Sequence, residues 1–358
     1  MSRFMRKDLA SLQAYTPGEQ PQDRRYIKLN TNESPFPPCE AVKEAAAAEA
    51  EKLNLYPDPD GGRLKRLLTE QYGVPEEQIF LSNGSDDILN FAFMAFCDAG
   101  RPAVFPDISY GFYQVFADLH RIPAVVLPLL PDFTVDVEAF LAQKGMAVIA
   151  NPNSPTGIAL PAEEIEGILA ADPERLVLVD EAYVDFGAES CLPLLKKYDN
   201  LLVVQTFSKY RSLAGARLGF AFGSPDVIRD LETIRYSTNP YNVNRMTLAA
   251  GIAALKNAEY DRENGRKIQK NRAMTEEALK KLGFEMTRSS ANFLFVRPPV
   301  GDGKDYYLGM KERGVLVRVY GNERIRNYVR VTIGDEEQMA GFLRATEDYL
   351  KGAGHERG

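Results

Sequence analysis

The sequence predicts an α/β protein with a large, mostly parallel seven-stranded sheet domain and a small α+β domain. Three observations carry this. Between about residue 75 and residue 250, short apolar runs alternate with helix-like stretches, the pattern of a parallel sheet covered on both faces. From Ala249 to Leu282 the chain turns helical and charged, with no proline. Beyond it, strands and helices alternate within the final 76 residues. At roughly 150 residues per domain, a chain of 358 residues has room for about two domains.

In order, the strands are expected at Ile79 to Leu81, Ala103 to Phe105, Ala124 to Leu127, Ala147 to Ala150, Leu176 to Asp180, Leu201 to Gln205 and Leu218 to Phe222. Helices are expected at Ser85 to Cys97, Gly111 to Leu119 and Pro161 to Ala170, the last with proline at its first position. Ala249 to Leu282 reads as one long connecting helix. The small domain then has runs at Phe293 to Val296, Val315 to Val319 and Tyr328 to Ile333. Its helices fall near Lys304 to Arg313 and at Asp335 to Leu350. The expected division is an N-terminal segment, 1–45, packing on the small domain, a large domain, 46–255, and a small C-terminal domain, 256–358.

Composition removes several functions. Lys plus Arg number 43 against 50 Asp plus Glu, a net charge of −7, which disfavours nucleic acid or an anionic membrane as the main partner. Cys39, Cys97 and Cys191 stand far apart, in neither a disulfide nor a metal-ligand spacing, so a reducing, cytoplasmic setting and no metal are expected. The N-terminus has basic residues but no apolar core segment of a signal peptide. His120 and His355, the latter in a polar tail, are the only histidines, so serine or cysteine triads are out and any base must be Lys, Tyr or a carboxylate.

Neither a dinucleotide fingerprint nor a P-loop occurs. Another anion cradle does: Ile79 to Ile88 reads as strand, glycine turn at Gly84 and helix start, aiming the amides of Ser85 and Asp86 outward. Ordinary capping by Ser85 or Asp86 is the plainer reading of that stretch. Asn151-Pro152-Asn153-Ser154-Pro155-Thr156-Gly157 forms a rigid loop at a strand's C-terminal end, where open α/β sheets bind ligands. Asp180-Glu181-Ala182-Tyr183 and Thr206-Phe207-Ser208-Lys209 end two further strands, and Arg217 follows Lys209 by eight residues. Each signal alone is weak; together, in this order, they make one site.

With these motifs, the sequence resembles the class II, fold-type I pyridoxal-phosphate aminotransferases, and within them the histidinol-phosphate aminotransferase family. The resemblance spans nearly the whole chain. It also rests on Lys28-Leu29-Asn30-Thr31-Asn32-Glu33-Ser34-Pro35, Leu55-Tyr56-Pro57-Asp58-Pro59, Pro240-Tyr241-Asn242-Val243-Asn244 and Val329-Arg330-Val331-Thr332-Ile333-Gly334. It implies pyridoxal 5'-phosphate as cofactor, held as a Schiff base on Lys209, whose amine then shuttles the substrate Cα proton. Asp180 is implied to pair with the pyridine nitrogen, Tyr183 with the phenolic oxygen, and Tyr110 to stack on the ring. Ser208, Arg217 and the turn Gly84-Ser85-Asp86 are implied to hold the phosphate. Tyr56 is implied to reach it from the other subunit of a homodimer. Arg330, Arg318 and Tyr15 are implied to receive the substrate's anions.

Two positions depart from the family pattern. Asn usually stands directly before Pro-Thr-Gly; here Ser154 does, preceded by Asn153, and either could face the phenolic oxygen. Lys209 is followed by Tyr210-Arg211-Ser212 instead of a small-aromatic-glycine run, which is expected to reshape the substrate side. The reaction implied is transamination of L-histidinol phosphate with 2-oxoglutarate, giving imidazole-acetol phosphate and glutamate in histidine biosynthesis. An aromatic-amino-acid aminotransferase and a threonine-phosphate decarboxylase share every cofactor residue and remain alternatives. A non-catalytic cofactor-sensing domain is a distant one, since only 27 residues precede Lys28 and the chain is acidic.

Overall fold

In a computed structural model, which describes residues 2–355, the chain begins with an extended N-terminal segment and strand β1 (Ile27–Lys28), then α1 (Glu40–Ala50) and α2 (Gly62–Tyr72). The sheet region follows: β2 (Ile79–Ser82), α3 (Ser85–Phe96), β3 (Ala103–Pro106), α4 (Phe112–His120), β4 (Ala124–Leu127), α5 (Val137–Leu141) and β5 (Met146–Ala150). It continues with α6 (Ala162–Ala171), β6 (Val177–Asp180), β7 (Leu201–Thr206) and β8 (Gly219–Gly223). Helices α7 (Pro225–Thr238), α8 (Arg245–Lys256) and α9 (Ala258–Lys281) lead to β9 (Glu285–Met286), β10 (Phe293–Arg297), α10 (Gly303–Glu312), β11 (Val315–Leu316), β12 (Arg318–Val319), β13 (Val329–Thr332) and α11 (Glu336–His355). Met1 and residues 356–358, at the outer ends of the expected division, lie outside the described residues.

The seven strands form one sheet in the order β2-β8-β7-β6-β5-β3-β4, parallel except for β8, which runs antiparallel to both neighbours. Every residue of β2, β3, β5, β6, β7 and β8 is buried, as a sheet covered on two faces requires. Alternation divides them. Val177 and Val179 face Leu68 of α2, Ile168 of α6 and Leu248 of α8, whereas Leu178 faces Phe91 of α3, Phe116 of α4 and Leu231 of α7.

Register sets the functional edge. Ala150 is level with Asp180, and Asp180 with Val204, so the loops after β5, β6 and β7 emerge side by side. Antiparallel β8 begins where these strands end, with Gly219 opposite both Thr206 and Ser82. That places Arg217 beside the turn leading into α3. A side chain at Gly219 would put its Cβ 2.4 Å from the backbone of Gly84, so only glycine lets the turn pass this close.

The C-terminal part is a four-stranded antiparallel sheet, β12-β13-β10-β9, whose core joins Leu294, Val331, Tyr306 and Phe342. Strand β1 pairs in parallel with β11, and Leu29 enters that same core. The expected single helix Ala249 to Leu282 is instead two. Asn257 leaves helical geometry at φ −115° and ψ 31°, and its side chain donates to the Ala253 carbonyl at 2.8 Å, closing α8. Without proline or glycine there, the sequence carries no visible break. The final helix continues past Leu350 to His355. Among the described residues no helix is long and apolar enough to cross a membrane.

Candidate active site

At the functional edge lies a cleft of about 230 Å³. Of the residues expected from the sequence, Tyr15, Ser85, Asp86, Tyr110, Ser154, Asp180, Tyr183, Ser208, Lys209, Arg217, Arg318 and Arg330 line it; Gly84, Asn153 and Tyr56 do not. The lining comes from the N-terminal segment, the large sheet and β12 and β13.

One end is an anion cradle. Gly84 precedes α3 at φ 83°, and no side chain caps the helix, so capping by Ser85 or Asp86 is not what this turn does. The first amides of α3 stay available, at the positive end of its dipole. Arg217, itself at φ 57°, donates to Asp86 Oδ2 at 3.0 Å, and the Tyr110 hydroxyl donates to Asp86 Oδ1 at 2.7 Å. Burial, with Asp86 beside it, raises the Tyr110 pKa well above the usual phenol value, so the ring stays neutral. Ser208 is buried, its Oγ bonded to that of Thr206 at 3.0 Å.

The middle holds Lys209, Asp180 and Tyr183. Lys209 Nζ donates to the Thr31 carbonyl at 3.3 Å and lies 5.9 Å from the centre of the Tyr183 ring. Asp180 ends β6 with only 6% exposure; its Oδ2 accepts from the Tyr113 hydroxyl at 2.9 Å and its Oδ1 from the Ala182 amide at 3.2 Å. Burial pushes its pKa up to about 6. A cation placed against this carboxylate would relieve that desolvation. The Tyr183 hydroxyl accepts from Asn32 Nδ2 at 2.9 Å.

The other end is doubly cationic. Arg318 and Arg330 are direct cross-strand partners in β12 and β13. Arg330 donates to Ser154 Oγ at 2.9 Å and to the Asn30 carbonyl at 3.2 Å, and Arg318 to the Thr16 carbonyl at 2.8 Å. Tyr15 stacks on Phe112 at 4.2 Å and meets Tyr110 edge-on at 6.1 Å. Burial raises its pKa although both arginines oppose the shift.

The two departures from the pattern resolve differently. Of the two candidates before Pro155, Ser154 is on the cleft. Asn153 instead holds the loop, donating to the Ile108 carbonyl at 2.9 Å and Thr156 Oγ1 at 3.0 Å and accepting from Ser109 Oγ at 2.8 Å. In the run Tyr210-Arg211-Ser212, Arg211 does not line the cleft; it is buried, 3.1 Å from Asp185 and 2.6 Å from the Tyr72 hydroxyl. Tyr56 is 78% exposed and stacked on Tyr241 at 4.4 Å, away from its own chain's cleft.

Sequence reasoning missed Tyr113, Asn32 and Asn30. Tyr113 lies three residues after Tyr110, one helical turn on, which was the available signal. Asn30 and Asn32 sit in a quoted motif, but nothing local says which groups they meet. No group of three or more His, Cys, Asp or Glu able to hold a metal occurs among the described residues.

Comparison with known proteins agrees with this geometry. Residues 24–345 match the family described as aminotransferase class I and II. The histidinol-phosphate aminotransferase of Brachyspira hyodysenteriae is 45% identical over 353 residues, covering 98% of this chain and all of that protein. That of Marinomonas sp. is 47% identical over 351 residues, 96% of this chain and 99% of the other. The crystal structure of histidinol-phosphate aminotransferase from Sinorhizobium meliloti in complex with pyridoxal-5'-phosphate superposes with a TM-score of 0.84 at 26% identity, covering 92% of each chain. With Lys209 in one cleft between Arg217 and the pair Arg318 and Arg330, the family match over residues 24–345 and these full-length relatives mean that the chain belongs to the class I and II aminotransferases and, within them, to the histidinol-phosphate aminotransferase family.

Proposed function

We propose that the protein transfers the amino group of L-histidinol phosphate to 2-oxoglutarate, giving imidazole-acetol phosphate and glutamate, a step of histidine biosynthesis. The observation that carries this reading is Lys209 set in one cleft between an anion cradle at Ser85, Asp86 and Arg217 and an arginine pair at Arg318 and Arg330. The names of the full-length relatives point the same way.

The residues present fit pyridoxal 5'-phosphate. Its phosphate suits the uncapped amides of α3 with Ser208 and Arg217, and a Cβ at Gly84 would fill part of that cradle, 2.6 Å from Arg217 Nη2. Asp180 would hold the pyridine nitrogen protonated, which supplies the buried carboxylate with a cation. Tyr183 and Ser154 would face the phenolic oxygen, Tyr110 the ring, and Lys209 the carbonyl carbon. When bound, the cofactor supplies an electron sink for negative charge at the substrate's Cα.

The chain's own groups do the rest. Lys209, once its amine is free, would take the proton from Cα and deliver it to the cofactor carbon it had held, so that the proton leaves one carbon and arrives on the other. Tyr110 and Tyr15, both on the cleft, stay neutral because burial raises their pKa values, and so add no negative charge against the anions. Arg330 and Arg318 receive the phosphate of one substrate and the carboxylate of the other in turn, Arg330 with a planar fork.

The same reading includes a homodimer with shared sites. Tyr56, exposed beside Leu53 and Leu55, has no role in its own cleft, which supports a reach into that of a second copy. It also takes 1–45, 46–255 and 256–358 as the units; Leu29 in the C-terminal core and the separate core of the large sheet support that outline, while α1 crosses the first boundary and carries Val42 into the core of the large sheet.

Half-reactions followed by stopped-flow absorbance with L-histidinol phosphate, phenylalanine and threonine phosphate test the substrate. Fastest conversion is expected with L-histidinol phosphate. Phenylalanine ahead of it would make the protein an aromatic aminotransferase, and carbon dioxide release from threonine phosphate would make it a decarboxylase.

A further inference from the structure

Asn32 holds its backbone at φ 56°, in the left-handed region that asparagine enters more readily than most residues, and it is almost fully buried. Its main chain is fastened on both sides. The amide donates to Thr332 Oγ1 of β13 at 3.0 Å, and the carbonyl accepts from Asn292 Nδ2 at 3.1 Å. The side chain is thereby set between Thr332 and Tyr183, with Oδ1 3.0 Å from Thr332 Oγ1 and Nδ2 2.9 Å from the Tyr183 hydroxyl.

The available hydrogens fix the direction of these bonds. A backbone amide only donates, so Thr332 Oγ1 accepts from Asn32 and keeps its single hydrogen to give. Asn32 Oδ1 is the one acceptor for it among the described residues. Thr332 is buried, so turning the Asn32 amide over would strand that hydrogen away from water. With Oδ1 accepting, Nδ2 donates to Tyr183. The Tyr183 oxygen is therefore the acceptor in this contact, and its own hydrogen has no acceptor among the described residues. Asn32, Tyr183 and Lys209 all line the cleft.

We propose that Asn32 is a positioning residue for Tyr183: by donating into the Tyr183 hydroxyl, it keeps the hydrogen of that group directed at the phenolic oxygen of the cofactor. This rests on the reading of the site given above, in which Tyr183 faces that oxygen. A hydrogen donated to the phenolic oxygen offsets its negative charge and weakens its hold on the proton of the adjacent Lys209 Schiff base, which is then released at lower pH. A hydroxyl that already accepts a bond donates more strongly, so Asn32 adds to the effect.

The test is a pH titration of the visible absorbance band of the holoenzyme, which reports protonation of the Schiff base. It compares the parent with Asn32→Gly, Tyr183→Phe and the variant carrying both changes. Glycine suits φ 56° and deletes the donor without straining the backbone. Asn32→Gly is expected to raise the midpoint by about half to one pH unit, the worth of one hydrogen bond. The double variant is expected to titrate within about 0.3 pH unit of Tyr183→Phe alone, because Asn32 acts through that hydroxyl. Effects that add in the double variant would overturn the proposal, as would an unchanged midpoint in Asn32→Gly. Should Asn32→Gly not fold, Asn32→Asp carries the same test, since it keeps the shape and, once ionised, offers Tyr183 only an acceptor. An unchanged midpoint in Tyr183→Phe would remove the reading that Tyr183 faces the phenolic oxygen, and this proposal with it. A raised midpoint there without one in the Asn32 variant refutes only the role of Asn32.

Discussion

Replacing Asp180 with asparagine is expected to stabilise the cofactor-free protein at neutral pH while slowing the enzyme. Burial raises this carboxyl from 3.8 to about 6. A carboxyl whose pKa is higher in the fold than in the unfolded chain binds its proton more tightly when folded. Its favourable contribution is complete below about pH 3.8 and lost as the pH rises through about 6. Two pKa units at about 1.4 kcal/mol each put the cost of keeping it ionised at pH 7 near 3 kcal/mol. Asparagine removes the charge and keeps one oxygen for the Tyr113 hydroxyl, but gives up an accepting contact worth about 1 kcal/mol. A net gain of about 2 kcal/mol is left above pH 6, shrinking toward pH 4. Urea midpoints of the cofactor-free proteins between pH 4.5 and 8 measure it, and the gap between variant and parent must widen with pH. In the loaded enzyme the lost charge-assisted bond, about 1.5–3 kcal/mol, predicts a rate roughly ten- to a hundredfold lower or more. A gap independent of pH would refute the burial argument. Turnover close to that of the parent would refute the partnership with the ring nitrogen.

Three further outcomes follow from the same geometry. Borohydride reduction and peptide mapping should place the cofactor on Lys209, the one lysine lining the cleft among the described residues; a tag on another lysine removes the assignment of the site. Mixing Lys209→Ala with Tyr56→Phe subunits should give more activity than either alone, because one cleft of the mixed dimer escapes both changes. Failure despite demonstrated subunit exchange would leave Tyr56 without a role across subunits. Gly84→Ala should lose cofactor at least about tenfold more readily on dialysis, since φ 83° is nearly closed to alanine at a cost of about 1–3 kcal/mol and its Cβ would press on Arg217; retention like that of the parent would argue against the cradle.

The large sheet was legible because buried strands announce themselves. Val177 to Val179 and Leu201 to Val204 are apolar without alternation, and each gives way at its C-terminal end to a polar residue, Asp180 and Gln205. What followed the strand ends was legible too, since Lys209, Asp180 and Arg217 gain meaning from chain order alone. Long-range partners were not. Nothing near Asp180 in sequence announces that a hydroxyl 67 residues upstream, on Tyr113, holds it, or that Asn32 meets Tyr183 from 151 residues away. That Ser154 and not Asn153 lines the cleft was equally hidden, because Asn153 is taken up by the carbonyl of Ile108, 45 residues away. The partners of Arg211, Asp185 and Tyr72, were out of reach of local reasoning in the same way.

The two anion sites of the cleft are built on different principles, and the difference bears on what each receives. The cradle at α3 is mostly backbone, fixed by the register that sets Gly219 beside Ser82, and Asp86 already offsets much of Arg217. It suits a permanent occupant. The other site places two guanidiniums directly across a strand pair, an arrangement that costs stability because like charges face each other. Carbonyls of Thr16 and Asn30 and the Ser154 hydroxyl accept from the two guanidiniums without cancelling either charge. Charge remains for the visitor to neutralise. A phosphate monoester brings close to two negative charges at neutral pH and a carboxylate one, so the pair is matched more fully by a phosphorylated donor.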